Sequence, residues 1–135
     1  MEQVWITILG ITAGGLGYLI ATFWVRPILR YRDIKHQVAS DLVFYANAIE
    51  LQKQNGSFRE DTLQRKERNR RNAADLTAIY ADLPSWYRRC LITRTEDPQK
   101  ASKDLIGLSN SSNQEDAREY VAGIKKHLRL TIERP

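Results

Sequence analysis

The stretch Val4–Val25 contains no charged residue. An apolar run of about 20 residues matches the ~30 Å hydrocarbon core of a bilayer at 1.5 Å of rise per helical residue. Because lipid offers the backbone no hydrogen bonds, a lone spanning segment satisfies its peptide groups as a helix. Trp5 and Trp24 lie near the two ends, where aromatic rings occupy the headgroup layers. The stretch therefore predicts a single transmembrane helix within residues 1–26.

Two other interpretations of this stretch remain open. A cleaved signal peptide has a basic start, a shorter apolar segment and a small-residue cleavage site. Here Glu2 is the only charge ahead of the run, and Arg26-Pro27 follows it directly. A buried helix of a soluble protein would need the rest of the chain to surround it. The pattern favours the membrane span over both.

Small residues recur at steps of three or four along one side of the predicted membrane helix: Gly10, Ala13, Gly14, Gly17 and Ala21. Small side chains let helix backbones approach closely, which promotes helix association in lipid. Glycine is also common in membrane helices without such a role, although each one lowers helix propensity by ~1 kcal/mol relative to alanine. With one span per chain, the row predicts packing against another chain, most simply a second copy.

The strongly polar side chains of the stretch are three threonines, Thr7, Thr12 and Thr22. Their hydroxyls can donate back to carbonyls of the same helix. Because the span carries no ring of charge, we expect any pore between associated helices to be lined by these threonines or gated by dewetting.

Charge is distributed unequally on the two sides of the span. Basic residues follow it closely and none precedes it: Arg26, Arg30, Arg32 and Lys35. Cytoplasmic flanks of membrane helices carry such an excess of Lys and Arg. We therefore expect the N-terminus outside and residues 27–135 in the cytoplasm. Arg26 and Arg30 would contact lipid headgroups together with Trp5 and Trp24.

Residues 27–135 show helical periodicity. Apolar residues at steps of three and four predict a helix to about Gln54: Ile28, Tyr31, Ile34, Val38, Leu42, Tyr45 and Ile49. Pro27 either kinks the exit from the span, starts a new helix or lies within one long rod. Asn55-Gly56 suits the end of this helix. The capping-box spacing Ser57–Glu60 opens a second helix, which continues to about Leu83.

Three shorter helices are predicted after it. Pro84 can begin a third helix, and Asp97 with Pro98 is the cap and first residue of a fourth. Ser109–Ser112 is a predicted polar turn, and Ser112–Glu115 repeats the capping-box spacing before the last helix. The predicted fold is all-α: one N-terminal transmembrane helix that continues into a cytoplasmic bundle of four or five helices.

The search for catalytic chemistry yields little. His36, His127 and Cys90 cannot supply a tetrahedral zinc site without carboxylates. Cys90 lies among arginines, a setting that can activate a thiol, but a lone helical cysteine is usually a small core residue. Arg30 and His36 are separated by five residues, loosely as in helical HEPN ribonucleases, where such residues act on phosphodiesters. We expect no catalytic, metal-binding or cofactor-binding residue.

A basic cluster lies early in the second predicted helix: Arg65, Lys66, Arg68, Arg70 and Arg71. Its predicted height above the membrane exceeds the ~8 Å Debye length. It therefore suits RNA, an acidic protein or a neighbouring subunit better than lipid, or it is a solvated face with ion pairs. By the same geometry Trp86-Tyr87-Arg88-Arg89 returns toward the bilayer, either as an interfacial anchor or with Trp86 in the core.

The layout of one N-terminal spanning helix and a compact helical domain resembles small bacterial single-pass membrane effectors of anti-phage systems. The membrane accessory protein of type VI-B CRISPR systems, which assembles into a membrane pore, is one of them. The resemblance covers architecture over the full length and carries over no motif. It implies a homo-oligomer in the bacterial inner membrane that forms a pore or depolarises that membrane in antiviral defence. The alternative is a membrane-anchored adaptor whose basic bundle binds a partner protein or nucleic acid.

Overall fold

One unbroken helix carries the chain from Glu2 to Leu51. The computed structural model describes residues 2–51, 58–111 and 114–130, and every element within these ranges is helical. The helices are α1 (Glu2–Ile20), α2 (Arg26–Leu51), α3 (Phe58–Asp82), α4 (Ser85–Thr93), α5 (Pro98–Asn110) and α6 (Gln114–His127). The predicted all-α fold, with an apolar N-terminal helix feeding a bundle, is confirmed. The predicted helix end at Asn55-Gly56 and the predicted capping residues Ser57 and Ser112 lie outside the described residues.

A π-helical segment, Ala21–Val25, joins α1 to α2. The Arg26 N–H donates to the carbonyl of Ala21, five residues back. Pro27 has no N–H, and in a regular α-helix its ring clashes with the carbonyl four residues earlier. A π turn is wider, and such turns accommodate local disruptions of the α-helical ladder. Of the three alternatives for Pro27, the chain therefore adopts the long rod.

The bundle core draws on α2 to α6. The apolar row of α2 is buried as predicted at Tyr31, Ile34, Val38 and Leu42. It meets side chains of the other helices and of the residues directly after α3 and α6: Ala73, Leu76, Ile79, Leu83, Leu91, Ala101, Leu105, Leu108, Ile124 and Leu128. α3 packs against both α2 and α5, and α5 packs against α6. α1 contributes nothing to this core.

The ends of α4 and α5 test the sequence prediction in detail. Asp97 caps α5 as predicted, because its carboxylate accepts from the Lys100 N–H at 3.0 Å. The polar turn predicted at Ser109–Ser112 begins later than expected, since α5 continues through Asn110 and the backbone leaves the helix at Ser111. The Ser109 hydroxyl donates to the carbonyl of Ile106 at 2.7 Å, which holds this buried serine within the helix. Pro84 caps α4 rather than beginning it.

Candidate membrane-association surface

The apolar part of α1 makes no buried contact with the described remainder of the chain: none of its most apolar window is buried. The exposed fractions of Trp5, Leu9 and Ile11 are 70%, 75% and 72%. A core helix of a soluble protein is mostly buried, whereas this one is long and apolar enough to cross a membrane. A signal sequence meets the same criterion of length and composition. Exposed apolar surface on this scale indicates contact with lipid or protein.

The small residues of α1 form one open face. We call Gly10, Ala13, Gly14, Gly17 and Ala21 the glycine seam; all five are exposed. A Cβ atom added at Gly10, Gly14 or Gly17 would meet no heavy atom within 4 Å. The fold of the single chain therefore gives no reason for glycine at these positions. Close approach of another helix supplies a reason.

The three threonines do not share one stripe. Thr7 donates to the carbonyl of Gln3 at 2.9 Å, and Thr12 donates to that of Ile8 at 2.8 Å. Five residues apart, these two point about 140° away from each other around an α-helix. The predicted back-bond of Thr22 is wrong: its Oγ1 is buried and has no hydrogen-bond partner within the described part of the chain. Thr22 lies in the π-helical segment, where the carbonyls no longer follow α-helical spacing.

The residues predicted to contact headgroups lie on the same rod. Trp5 and Trp24 are 70% and 50% exposed and stand roughly 28 Å apart along the helix axis. Arg26 and Arg30 are also exposed, in the first turns of α2. None of the four is covered by the bundle, so all remain accessible to a bilayer placed around α1.

A buried polar network sets the register between α2 and α3. Asp41 is 6% exposed; its Oδ1 accepts from Arg68 Nη1 at 3.1 Å and its Oδ2 from Asn72 Nδ2 at 2.8 Å. The Asn72 Oδ1 in turn accepts from Gln37 Nε2 at 3.0 Å. α3 therefore runs antiparallel to α2 and returns toward α1.

The predicted basic cluster of α3 is divided among intramolecular partners. Arg68 pairs with Asp41, although 62% of its own side chain stays exposed. Arg70 donates to the Asn110 Oδ1 at 3.0 Å and the Ser109 Oγ at 3.4 Å, and Arg71 pairs with Glu67 at 3.4 Å. Arg65 and Lys66 are half-buried. The cluster is thus not one open face, and intrachain contacts already engage three of its guanidinium groups.

A second network ties the base of α2 to the loop after α4. Both oxygens of Glu96 accept hydrogen bonds at 3.0 Å, one from the Tyr31 hydroxyl and one from Lys35 Nζ. Tyr31 is 1% exposed, and its ring packs edge-on against Tyr87 with centroids 6.2 Å apart. Burial, and then the negative charge of Glu96, raise the pKa of Tyr31 well above its ordinary value. This network fixes α4 beside the first turns of α2.

The raised pKa of Tyr31 predicts an alkaline loss of stability. An unfolded tyrosine titrates near pH 10, so above that pH the unfolded state loses this proton before the folded state does. The stabilisation is therefore complete below pH 10 and falls above it by about 1.4 kcal/mol per pH unit. Urea unfolding of wild type and Tyr31→Phe measures this, and the variant should decline less steeply. Equal slopes above pH 10 would refute the assignment.

The weak catalytic patterns find no support in the geometry. Arg30 and His36 are both exposed on α2, and six residues place them about 120° apart around the helix. Cys90 is exposed, so its interpretation as a core residue is wrong. Among the described residues, no group of three or more His, Cys, Asp or Glu side chains is placed to hold a metal ion.

Sequence reasoning missed the two carboxylates that join the helices. Asp41 had a detectable signal, because it falls three residues after Val38 on the buried side of α2. A charged residue on an apolar face indicates a buried partner. Glu96 had no such signal, since its partners Tyr31 and Lys35 are 65 and 61 residues away.

Comparison with known proteins adds no relative. No protein-family model matches the chain, and no curated protein or solved structure shows significant similarity to it.

Proposed function

We propose that this protein is a single-pass membrane protein whose α1 helices associate through the glycine seam into a homo-oligomer that permeabilises the bacterial inner membrane. One observation carries the proposal. The apolar helix and its small-residue face have no partner within the described chain, while the bundle completes a separate core. The helix therefore needs lipid around it, and its glycines need a neighbouring backbone.

The energetics of lipid favour this arrangement. Because lipid tails are as apolar as the helix, association there depends on van der Waals packing and on hydrogen bonds between helices. Glycines at Gly10, Gly14 and Gly17 leave the backbone open, and a second copy offers the same open face. A pore between these helices would be uncharged and gated by dewetting.

The orientation follows from charge. The exposed Arg26 and Arg30 directly after the span support a cytoplasmic bundle by the positive-inside rule. In that position the bundle sets the number of subunits and receives the activating signal. The architectural resemblance to anti-phage membrane effectors supports a role in bacterial defence.

A second candidate is a membrane-anchored adaptor. It is favoured by the exposure of basic side chains on α3, 62% for Arg68 and 71% for Arg71. These guanidinium groups keep donors free for an acidic protein or nucleic acid. In this case α1 serves only as an anchor, and an unrelated helix of the same hydrophobicity could replace it.

Two measurements test the first candidate: the mass of the particle purified in detergent, and ion leakage from cells that express the protein. We expect a particle of several copies and a collapse of membrane potential. A version with Val4–Val25 replaced by polyleucine should be inserted but inactive, because it lacks the glycine seam. A monomeric wild-type particle would overturn the proposal. Full activity of the polyleucine version would favour the adaptor.

A further inference from the structure

The register between α2 and α3 determines how far α3 returns toward the membrane. The Asp41 network pairs residues 37–41 of α2 with residues 68–72 of α3. Because the two helices are antiparallel, counting along both from these contacts places Leu83 level with residues 26–30 of α2. Leu83 is buried in the core against which Ile28 packs, in agreement with this register. The turn from α3 to α4 therefore lies beside the first turns after the apolar stretch.

This level coincides with the lipid headgroups if α1 spans the membrane. Residues 26–30 extend about 8 Å beyond Val25 at 1.5 Å per residue. Each headgroup layer occupies roughly 5–8 Å outside the ~30 Å hydrocarbon core. Since α4 begins at Ser85, its first turn lies at headgroup depth.

α4 has one side in the core and one side exposed. Leu91 is 1% exposed, whereas Trp86, Arg89 and Ile92 are all exposed. These three follow each other at steps of three, which places them on one side of the helix with Arg89 in the middle. Trp86 and Ile92 are 48% and 66% exposed. Of the two interpretations of Trp86, the structure therefore excludes the core residue.

Trp86 contacts a neighbouring aromatic ring although it is exposed. Its ring packs edge-on against Tyr87 with centroids 5.6 Å apart, and Tyr87 packs edge-on against the buried Tyr31. The three rings connect the exposed side of α4 to α2 just beyond the span. A half-exposed tryptophan at headgroup depth matches the preference of this side chain for the membrane interface.

The exposed charge on the first turns of α2 and near the start of α4 is predominantly basic. Arg26 and Arg30 on α2 and Arg89 on α4 are exposed, against the exposed carboxylates of Asp33 and Asp82. Basic side chains at this level are attracted to the anionic lipids of a cytoplasmic leaflet by about 1 kcal/mol each. The surface is therefore complementary to anionic headgroups in charge as well as in depth.

We infer that the exposed side of α4 is a second membrane-contact surface, on which Trp86 enters the headgroup layer and Arg89 binds the phosphate of an anionic lipid. The occupant is the leaflet from which α2 emerges. The inference rests on the proposed membrane span of α1. It goes beyond that span because it ties the bundle to the bilayer at a second point, separate from the glycine seam.

Single-tryptophan reporters in nanodiscs containing phosphatidylglycerol test the surface. Trp5→Phe with Trp24→Phe leaves Trp86 as the reporter, and Trp5→Phe with Trp86→Phe leaves Trp24. A variant without the three native tryptophans that carries Leu63→Trp reports on an exposed site early in α3. We expect a headgroup spin label to quench Trp86 and Trp24 alike. Aqueous acrylamide should quench only the reporter at position 63 strongly.

Charge variants test the role of the lipid phosphate. Arg89→Gln removes one positive charge at headgroup depth. It should therefore lower the ratio of membrane-bound α4 to unbound α4 about fivefold, because one arginine is attracted to anionic lipid by that factor. Arg71→Gln removes one charge from the α3 surface, more than a Debye length of ~8 Å from the membrane. It should leave the quenching of Trp86 unchanged.

Two results would overturn the inference. If Trp24 is quenched by the lipid label while Trp86 behaves like the reporter at position 63, the span stands and α4 does not touch lipid. If Trp86 is shielded from acrylamide but also from the lipid label, a second copy covers this surface instead. Absence of lipid quenching at Trp24 would refute the span together with the inference.

Discussion

Gly14→Leu is expected to dissociate the proposed oligomer and abolish the proposed ion leakage while the bundle remains folded. A Cβ atom at this position meets nothing within the chain, so the larger side chain costs the monomer no clash. Between two helices it holds the backbones apart and loses on the order of ten to twenty atom contacts of ~0.1–0.2 kcal/mol each. A loss of about 2 kcal/mol lowers the association constant about thirtyfold. Particle mass in detergent and leakage in cells measure both effects.

Gly15→Leu is the matched control. Its Cβ atom also meets nothing within 4 Å, and the substitution adds the same side chain one residue further along. That residue lies about 100° away from Gly14 around the helix, outside the glycine seam. This variant should keep the wild-type particle mass. If both variants dissociate the oligomer, or neither does, the glycine seam is not the interface.

Asp41→Ala is expected to destabilise the bundle by about 2–3 kcal/mol. The carboxylate is 6% exposed and accepts from the amide of Asn72, which is 1% exposed. Its removal leaves that buried N–H without an acceptor, and a buried unsatisfied donor costs more than a typical hydrogen bond contributes. Urea unfolding of the full chain in detergent measures the change in the free energy of unfolding.

Arg68→Ala removes the other partner of the same carboxylate and serves as its control. The Arg68 side chain is 62% exposed, and exposed ion pairs contribute about 1 kcal/mol or less. The Asn72 hydrogen bond to Asp41 stays in place. We therefore expect a much smaller loss than for Asp41→Ala. Equal losses would mean that the ion pair, rather than the buried amide, holds α2 to α3.

Local patterns in the sequence predicted most of the fold. The steps of three and four identified the buried residues Tyr31, Val38 and Leu42 of α2, because burial of one helix face depends on spacing alone. The cap at Asp97 was equally local. Ser109 was mispredicted as part of a turn, because a serine-rich run is typical of turns. In the structure its hydroxyl donates to a carbonyl of the preceding helical turn, a contact that the sequence pattern does not indicate.

The surface was harder to predict, because its properties depend on contacts between distant residues. The basic run of α3 is continuous in the sequence. In the structure, however, Arg68 donates to Asp41, which lies 27 residues earlier, and Arg70 donates to Asn110, which lies 40 residues later. The π-helical segment depends on how Pro27 is accommodated within a helix, which propensity does not specify. The glycine seam was recognisable because it requires only helical spacing.

The uninterrupted rod from Glu2 to Leu51 leaves no flexible joint between the apolar helix and the bundle. A rotation of the bundle about the rod axis is therefore transmitted to the glycine seam. If copies associate as proposed, the arrangement of the bundles and the arrangement of the apolar helices are coupled, and a change in one requires a change in the other.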